Sequence, residues 1–568
     1  MMRAGAVPWP AEAARRYVER GYWRQSCLGA TMWRDADRYG ERIAIVDGPT
    51  RLSFVTLAGR ADALAERLLA LGLRPGDNVV VQLPNRWELV ATLFACARIG
   101  VAPVLALTQH RARELRHLCD TVRAVALVVP AEWRGVDHQR LALDVVGECA
   151  RRPRVLVVAD HSDSGAIALS GLDVVTGDPK QRRARLDRLA PDPGDVLLFL
   201  LSGGTTGLPK VIARTHNDYE YNVRRSGEVC GFADTTVYLA ALPIAHNFAL
   251  GSPGILAALR CGGRAVLLPT PEPKHAFAVM AAEGATVTAL VPAVARRWVD
   301  VARESAVRPS LAVVQIGGSV LPDGLAADVV STFGCALQQV FGMAEGLLNF
   351  TRLDDPAAVV FGTQGRPMCP DDEIRVVAGD GVDAPCGTPG ELWTRGPYTP
   401  RGYFAAPDVN RHAFTSDGWY RTGDLVRRDP NGNLTVVGRV KDQINRAGEK
   451  IAAAEVEDLV RQVAAVADVA AVPVPDRDVG ERVCVCVVAG AQDLPTLPAL
   501  RSALLQLGVA PFKAPEYLVV VDALPRTAVG KTDKTRLARE VAERLRVTAK
   551  APPDQTDRCA TVPSDALT

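Results

Sequence analysis

The sequence predicts an α/β fold: a large N-terminal domain of two layered α/β subdomains plus a β-rich subdomain, then a small α+β domain. Three observations predict it. Short apolar runs alternate with helical periodicities over the first hundred residues, the pattern of parallel strands joined by helices. From Asp371 the texture changes to short strands and turns. A junction at Gly438-Arg439-Val440-Lys441-Asp442-Gln443 then precedes a stretch with its own helices and strands. A chain of 568 residues is also too long for one core. The expected limits are 1–438 for the large domain, 439–545 for the small one and 546–568 for a tail. The end of that tail is rich in Pro, Asp and Thr, a composition that predicts disorder.

The elements follow in order. Ala11–Glu19 reads as a helix and Ile43–Asp47 as a strand turning at Gly48. Leu57, Ala61, Leu64, Leu68 and Leu71 share one helical face that stops at Gly72. Arg74–Asp77 is a turn, Asn78–Leu83 a strand, Trp87–Gly100 a helix and Val101–Leu107 a strand. The polar stretch 170–195 reads as a linker between subdomains, with Lys180–Arg185 as its solvated part. Val196–Leu200 is a buried strand, and Val211–Thr215 a second β run. Asn217 is placed to cap a helix reaching about Ser226. Further strands are expected at Thr236–Leu242, Ala265–Leu268, Thr286–Val291, Ala312–Ile316 and Ala336–Val340. In the β-rich part they fall at Ile374–Val377, Gly390–Thr394 and Asn433–Val437. Beyond the junction, helices at Glu455–Val463 and Leu497–Leu507 flank strands at Val466–Val474 and Arg482–Val488.

Composition narrows the function. Net charge is only +2, so there is no electrostatic footprint for nucleic acid. No run approaches the ~20 apolar residues of a membrane span. Val7-Pro8-Trp9-Pro10 interrupts any apolar leader, and a cytoplasmic protein is expected. The twelve cysteines are scattered without a CxxC pair, which supports neither a zinc ribbon nor a redox motif. Reduced, mostly buried thiols are expected.

Chemistry is concentrated in four places. Between the two β runs at 196–215 lies Ser202-Gly203-Gly204-Thr205-Thr206-Gly207-Leu208-Pro209-Lys210. Its glycines let backbone N–H groups approach phosphate oxygens, its hydroxyls add donors and its lysine adds charge. It is not a Walker A loop, because Leu208-Pro209 separates Gly207 from the lysine and no Ser or Thr follows. In Val340-Phe341-Gly342-Met343-Ala344-Glu345-Gly346 the single acid follows a strand, facing the crevice where open α/β sheets bind ligands. A lone carboxylate near phosphates is suited to Mg²⁺, although Glu345 also fits a helix N-terminus. Asp424, beside Gly423, can take a ribose diol or simply form a turn. Lys531 closes the glycine loop Pro525–Lys531 and in isolation reads as a surface lysine.

In this order the four elements resemble the adenylate-forming superfamily of acyl- and aryl-CoA ligases, luciferases and nonribosomal peptide synthetase adenylation domains. The matching stretches are Ser202–Lys210, Phe341–Gly346, Tyr420–Asp424, Gly438–Lys450 and Pro525–Lys531, within about residues 40–540. His246–Gly254, Gln339–Asp355, Val7–Pro10 and Asn445–Ile451 are similar to the stand-alone aryl acid–AMP ligases of siderophore pathways.

The resemblance implies ATP and Mg²⁺, an aryl acid substrate, and two half-reactions: adenylation, then transfer to a thiol. That thiol would be the phosphopantetheine of a carrier protein on another chain, since the segment after about residue 550 is too short for a carrier domain. Free coenzyme A is the alternative. It implies that Ser202, Gly203, Gly204, Thr205, Thr206 and Lys210 hold the β- and γ-phosphates, and that Glu345 holds Mg²⁺. Lys531 would bridge the carboxylate and α-phosphate, and Asp424 take the ribose with Arg439 nearby. Gly317, Gly318, Val340, Phe341 and Gly342 would lie along the adenine and acid sites. His246 joins the catalytic set and the acid pocket. Lys441 would be the hinge of a mobile small domain, and Gly448 would line its thiol tunnel.

The acid pocket would comprise His246, Asn247, Phe248, Ser252, Gly318, Val340 and Leu348. An Asn247 amide can bond a hydroxyl ortho to the carboxylate. In the family, serine at the Ser252 position accompanies 2,3-dihydroxybenzoate, and leucine at the Leu348 position accompanies salicylate, so the pocket is mixed. The order expected is 2,3-dihydroxybenzoate, then 3-hydroxyanthranilate or 3-hydroxypicolinate, then salicylate.

Overall fold

A computed structural model of the chain describes residues 3–171, 177–202, 208–304, 311–379, 381–440, 443–489, 496–526, 532–548 and 559–560. It separates into two compact units. The first comprises Met1–Thr108, Leu115–Ser202 and Lys210–Gly438; the second includes Arg439 onward and the short segment Gln109–Glu114.

The first unit is mixed α/β with three main sheets. A nine-stranded sheet has a parallel centre, from Ala336–Met343 through Val313–Gly317, Val287–Leu290, Val237–Ala240 and Arg264–Leu267 to Ile43–Asp47. Antiparallel strands flank it on both sides, Gly346–Phe350 and then the edge strand Arg366–Pro367 on one side and Thr50–Ser53 on the other. Its period-2 alternation separates two cores. Ile45, Tyr238, Ala265 and Val313 enter one hydrophobic cluster, while Val46, Leu239, Val266 and Val314 enter the other. The second of these is covered by helices Pro273–Glu283, Pro292–Glu304 and Asp323–Phe333.

A seven-stranded sheet runs Lys210–Thr215, Val196–Ser202, Ala102–Leu105, Asn78–Val81, Ala126–Pro130, Arg154–Val158 and Ala166–Ala168. It is parallel except for its first strand. Both sheets send residues into one shared core. There the helix Trp87–Arg98 is buried on every side except at Glu88, which is why its sequence is apolar all round. The third sheet, Glu373–Val377, Gly390–Arg395, Tyr420–Arg428 and Leu434–Arg439, is the expected β-rich part.

Two local expectations are corrected. The stretch 170–195 is not all linker: Pro179–Asp187 is a helix capped by the Asp178 side chain. Its arginines are paired rather than solvated. Arg182 is buried against Glu66 at 2.6 Å, and Arg183 grips Asp37 with both guanidinium nitrogens at 2.7 Å. The helix that Asn217 was expected to cap runs His216–Val229 and is capped by Thr215. Thr215 and Asp218 form a reciprocal capping box, and Asn217 instead accepts from the Gln25 N–H at 3.1 Å.

The second unit is α+β. Val466–Asp476 and Gly480–Ala489 form a long antiparallel pair, extended by Gln443–Arg446, Glu449–Ala452, Tyr517–Val521 and a short pairing at Cys559–Ala560. Helices Ala453–Val463 and Leu497–Gln506 pack on it. Lys534–Thr548 is the last helix described. Among the described residues no helix is long and apolar enough to cross a membrane.

Candidate functional site

The glycine-rich loop joins two antiparallel strands in which Ser202 stands opposite Lys210. Gly203, Gly204, Thr205 and Thr206 lie outside the described residues, as do Lys441 and Lys531. At the loop's two feet the side chains are described. The buried Ser202 hydroxyl has no partner among the described residues, an orphan donor at the mouth of an expected anion cradle. Lys210 holds its ammonium 4.7 Å from the centre of the Tyr403 ring, close enough for cation–π attraction.

Tyr403 connects this lysine to the acid. Its hydroxyl donates to Glu345 at 2.7 Å and lies 3.1 Å from the Tyr420 hydroxyl. Glu345 sits in the turn of the hairpin between Ala336–Met343 and Gly346–Phe350, not on a helix. The guanidinium of Arg214 fixes the same turn by donating to the Ala344 carbonyl at 3.2 Å. Burial first, then the Glu345 charge, pushes the Tyr403 and Tyr420 hydroxyls well above their ordinary range, so both stay protonated donors. Asp424 adds to the effect on Tyr420. Asp424 is itself buried and lies within the strand Tyr420–Arg428 rather than in a turn. The structure thus gathers Lys210, Glu345, Tyr403 and Tyr420, with Asp424 acting on the last of them.

A single buried carboxylate held by a phenol fits a Mg²⁺ whose remaining ligands are phosphate oxygens and water. Among the described residues no cluster of three His, Cys, Asp or Glu side chains forms a cage for a metal.

The expected acid-pocket residues come from three directions. Exposed His246 caps the short helix Asn247–Gly251, accepting from the Phe248 N–H at 3.4 Å. Asn247 and Ser252 are buried, and each is met by the helix His216–Val229. Tyr219 donates to the Asn247 carbonyl oxygen at 2.9 Å, and Asn222 reaches Ser252 Oγ at 3.4 Å. Val340 and Leu348 share a cluster with Tyr221, Trp9, Trp23 and Tyr398, against which Phe248 packs.

Two glycines make this approach possible. A Cβ on Gly342 would lie 2.4 Å from Leu348 Cδ2, so Leu348 crosses the bare backbone of the facing strand. A Cβ on Gly317 would lie 2.6 Å from the Val340 carbonyl and 3.3 Å from the Phe248 ring. Gly318 follows directly, and Phe341 is half-buried. In the second unit, Arg439 begins the segment after Gly438, and Gly448 sits in the turn between Gln443–Arg446 and Glu449–Ala452.

Leu348 is supported from behind by residues that the sequence reading did not single out. Its N–H donates to the Tyr398 hydroxyl at 3.1 Å, and that hydroxyl donates to Asp372 at 2.5 Å. Asp372 Oδ1 has no partner among the described residues, and burial pushes the carboxyl from 3.8 up to about 8. The folded chain therefore holds a proton that the unfolded chain releases. The stability contributed by this proton is fullest below the ordinary carboxylate range and is lost as pH rises toward 8. Asp372→Asn is expected to flatten that decline. Thermal melts at about pH 5 and about pH 8.5 check it, and equal losses in parent and variant would contradict the assignment.

Comparison with known proteins follows the same lines. A model of the family described as AMP-binding enzyme matches residues 32–404, and one described as AMP-binding enzyme C-terminal domain matches 455–531. A Streptomyces protein named salicylyl-CoA synthase / salicylate adenylyltransferase is 53% identical, over 94% of this chain and 98% of that one. The 2,3-dihydroxybenzoate-AMP ligase of Bacillus subtilis is 43% identical, over 96% and 99%. Among solved structures, apo MbtA from Mycobacterium smegmatis superposes with a TM-score of 0.71 at 42% identity, over 94% and 99%.

Proposed function

The chain belongs to the AMP-binding enzyme family, among its aryl acid adenylating ligases, and on that premise we propose that it activates an aryl acid bearing an ortho oxygen. The observation that carries this reading is the buried pair of polar groups, Asn247 and Ser252, beside the apolar Phe248, Val340 and Leu348. Both oxygens already accept from the helix His216–Val229, so an unsubstituted aromatic acid would leave the remaining Asn247 N–H and Ser252 O–H donors without a partner, which discriminates against it.

In the first half-reaction a carboxylate oxygen attacks the α-phosphorus of ATP, and the bond to the β-phosphate oxygen breaks, releasing pyrophosphate. Two anions meet, so the work of the protein is charge neutralisation and alignment. Ser202, Gly203, Gly204, Thr205, Thr206 and Lys210 take the leaving phosphates; Lys531 bridges carboxylate and α-phosphate. Asp424 takes the ribose, Arg439 also serves the ATP, and Gly317, Gly318, Phe341 and Gly342 leave room for the adenylate. Glu345 would hold Mg²⁺, which supplies positive charge to the phosphate oxygens. His246 stands at the entrance to the acid pocket. In the second half-reaction a thiol attacks the acyl carbon and AMP leaves. Lys441 serves as the joint for that step and Gly448 lines the approach of the thiol.

Ser252 favours an acid with a second polar group at ring position 3, 2,3-dihydroxybenzoate before 3-hydroxyanthranilate or 3-hydroxypicolinate. The preferred acceptor is the phosphopantetheine of a separate carrier protein. A second reading, salicylate with coenzyme A, is favoured by Leu348 and by the name of the 53% identical relative. ATP–pyrophosphate exchange with these acids tests the proposal, and exchange with none of them would sink it. Supplying carrier protein and coenzyme A in turn to the preloaded adenylate separates the two acceptors.

A further inference from the structure

We infer that Tyr219 is a positioning residue that fixes the direction of the Asn247 amide and thereby makes the pocket select acids with an ortho hydrogen-bond acceptor. The inference rests on the acid-binding role proposed above for Asn247.

Tyr219 and Asn222 are three residues apart on the helix His216–Val229 and so share one face. The Tyr219 hydroxyl has one proton and donates it to Asn247 Oδ1 at 2.9 Å. With that oxygen committed, the amide plane is set, and the N–H donors of Asn247 are the groups left to meet a ligand. Burial pushes the Tyr219 hydroxyl well above its ordinary range, so the donor is permanent. The neighbouring backbone is shaped for this contact: a Cβ on Gly251 would lie only 2.6 Å from the Tyr219 hydroxyl oxygen.

One turn on, Asn222 repeats the arrangement. Its amide donates to the Gly251 carbonyl at 2.6 Å and to Ser252 Oγ at 3.4 Å. Its own oxygen accepts from Arg214 at 3.3 Å, and Arg214 is held by Asp218 at 2.6 Å. Because Ser252 Oγ accepts from this side, its proton is free to donate. The helix therefore presets two donors, the Asn247 N–H and the Ser252 O–H.

Two donors match a particular chemistry. A hydroxyl ortho to a carboxylate gives its proton to that carboxylate, so its oxygen offers only lone pairs to the protein. A freely rotating Asn247 amide would turn its own oxygen toward those lone pairs as often as its N–H groups. Tyr219 removes that alternative.

The test compares salicylate with benzoate, which lacks the ortho oxygen, in ATP–pyrophosphate exchange. In Tyr219→Phe the salicylate-to-benzoate ratio of kcat/KM is expected to fall about tenfold, carried by the KM for salicylate. Asn247→Ala should lower the ratio similarly, and the double variant should fall no further. Gly251→Ala, which crowds the hydroxyl without removing it, supplies the same readout if Tyr219→Phe does not fold. A ratio that falls in Asn247→Ala but stays put in Tyr219→Phe and Gly251→Ala overturns the positioning role alone. Equal losses on both acids also overturn it, by making Tyr219 merely structural. An unchanged ratio in Asn247→Ala overturns the pocket reading itself.

Discussion

Replacing Glu345 by glutamine is expected to slow acyl-adenylate formation about 10²–10³-fold, read as ATP–pyrophosphate exchange. The unfolding midpoint should change little. Glutamine has the shape of glutamate and keeps an oxygen to accept from the Tyr403 hydroxyl, now 2.7 Å from the carboxylate. What the substitution removes is a negative charge that is only 6% exposed. The direction of the effect decides what that charge is for. With no cation between them, a buried carboxylate would repel the phosphates of ATP, and removing it would speed the reaction. A carboxylate that holds Mg²⁺ is stabilising through the ion, and removing it slows the reaction and raises the Mg²⁺ concentration needed for half-maximal rate. Exchange as fast as in the parent at limiting Mg²⁺ would contradict the role given to Glu345.

Much of the frame around this candidate site was legible in the sequence because its parts are local. Val196–Leu200 is apolar without interruption and flanked by glycine and hydroxyl residues, and it folds as a buried strand, second from the sheet edge, feeding the loop. The alternation between residues 43 and 107 also survives folding, since parallel strands buried on both faces need continuous apolar runs. Legibility fails where the deciding partner is distant. Pro179–Asp187 buries only Arg182 and Leu186, too few apolar residues to announce a helix, and it is held by Glu66, more than a hundred residues earlier. Thr215 and Asn217 are both good caps with an acid three positions on, Asp218 and Glu220, and what separates them is distant: Asp218 is buried against Arg214, while the Asn217 oxygen is taken by the Gln25 N–H. Tyr403 carries no local signal at all. Its meaning comes from Lys210 and Glu345, which only the fold brings to its ring and its hydroxyl. Tyr219 and Asn222 likewise sit in an ordinary polar helix until Asn247 and Ser252 are packed against it.

Arg214→Met is expected to be the most destabilising of these substitutions, costing about 3–5 kcal/mol. Arg214 and Asp218 are both fully buried, 2.6 Å apart. Asp218 also accepts from the Thr215 hydroxyl at 2.7 Å and the Thr215 N–H at 2.5 Å. Burial already pushes its carboxyl above the ordinary range, with Arg214 the largest force in the other direction. Methionine fills most of the arginine volume but leaves that carboxylate without its cation, and an uncompensated buried charge is the costly species. Asp218→Asn in the same background removes the charge and keeps a capping oxygen, so it should recover part of the loss. Urea unfolding checks both, as a lowered midpoint with an unchanged slope. No recovery in the double variant would place the cost in the other arginine contacts, to the Ala344 carbonyl and Asn222. Those contacts predict a second effect. The arginine ties the Glu345 turn to the helix that presents Tyr219 and Asn222. Arg214→Met should therefore weaken both acid discrimination and Mg²⁺ dependence, whereas a loss confined to stability would show the two halves of the site to be independent.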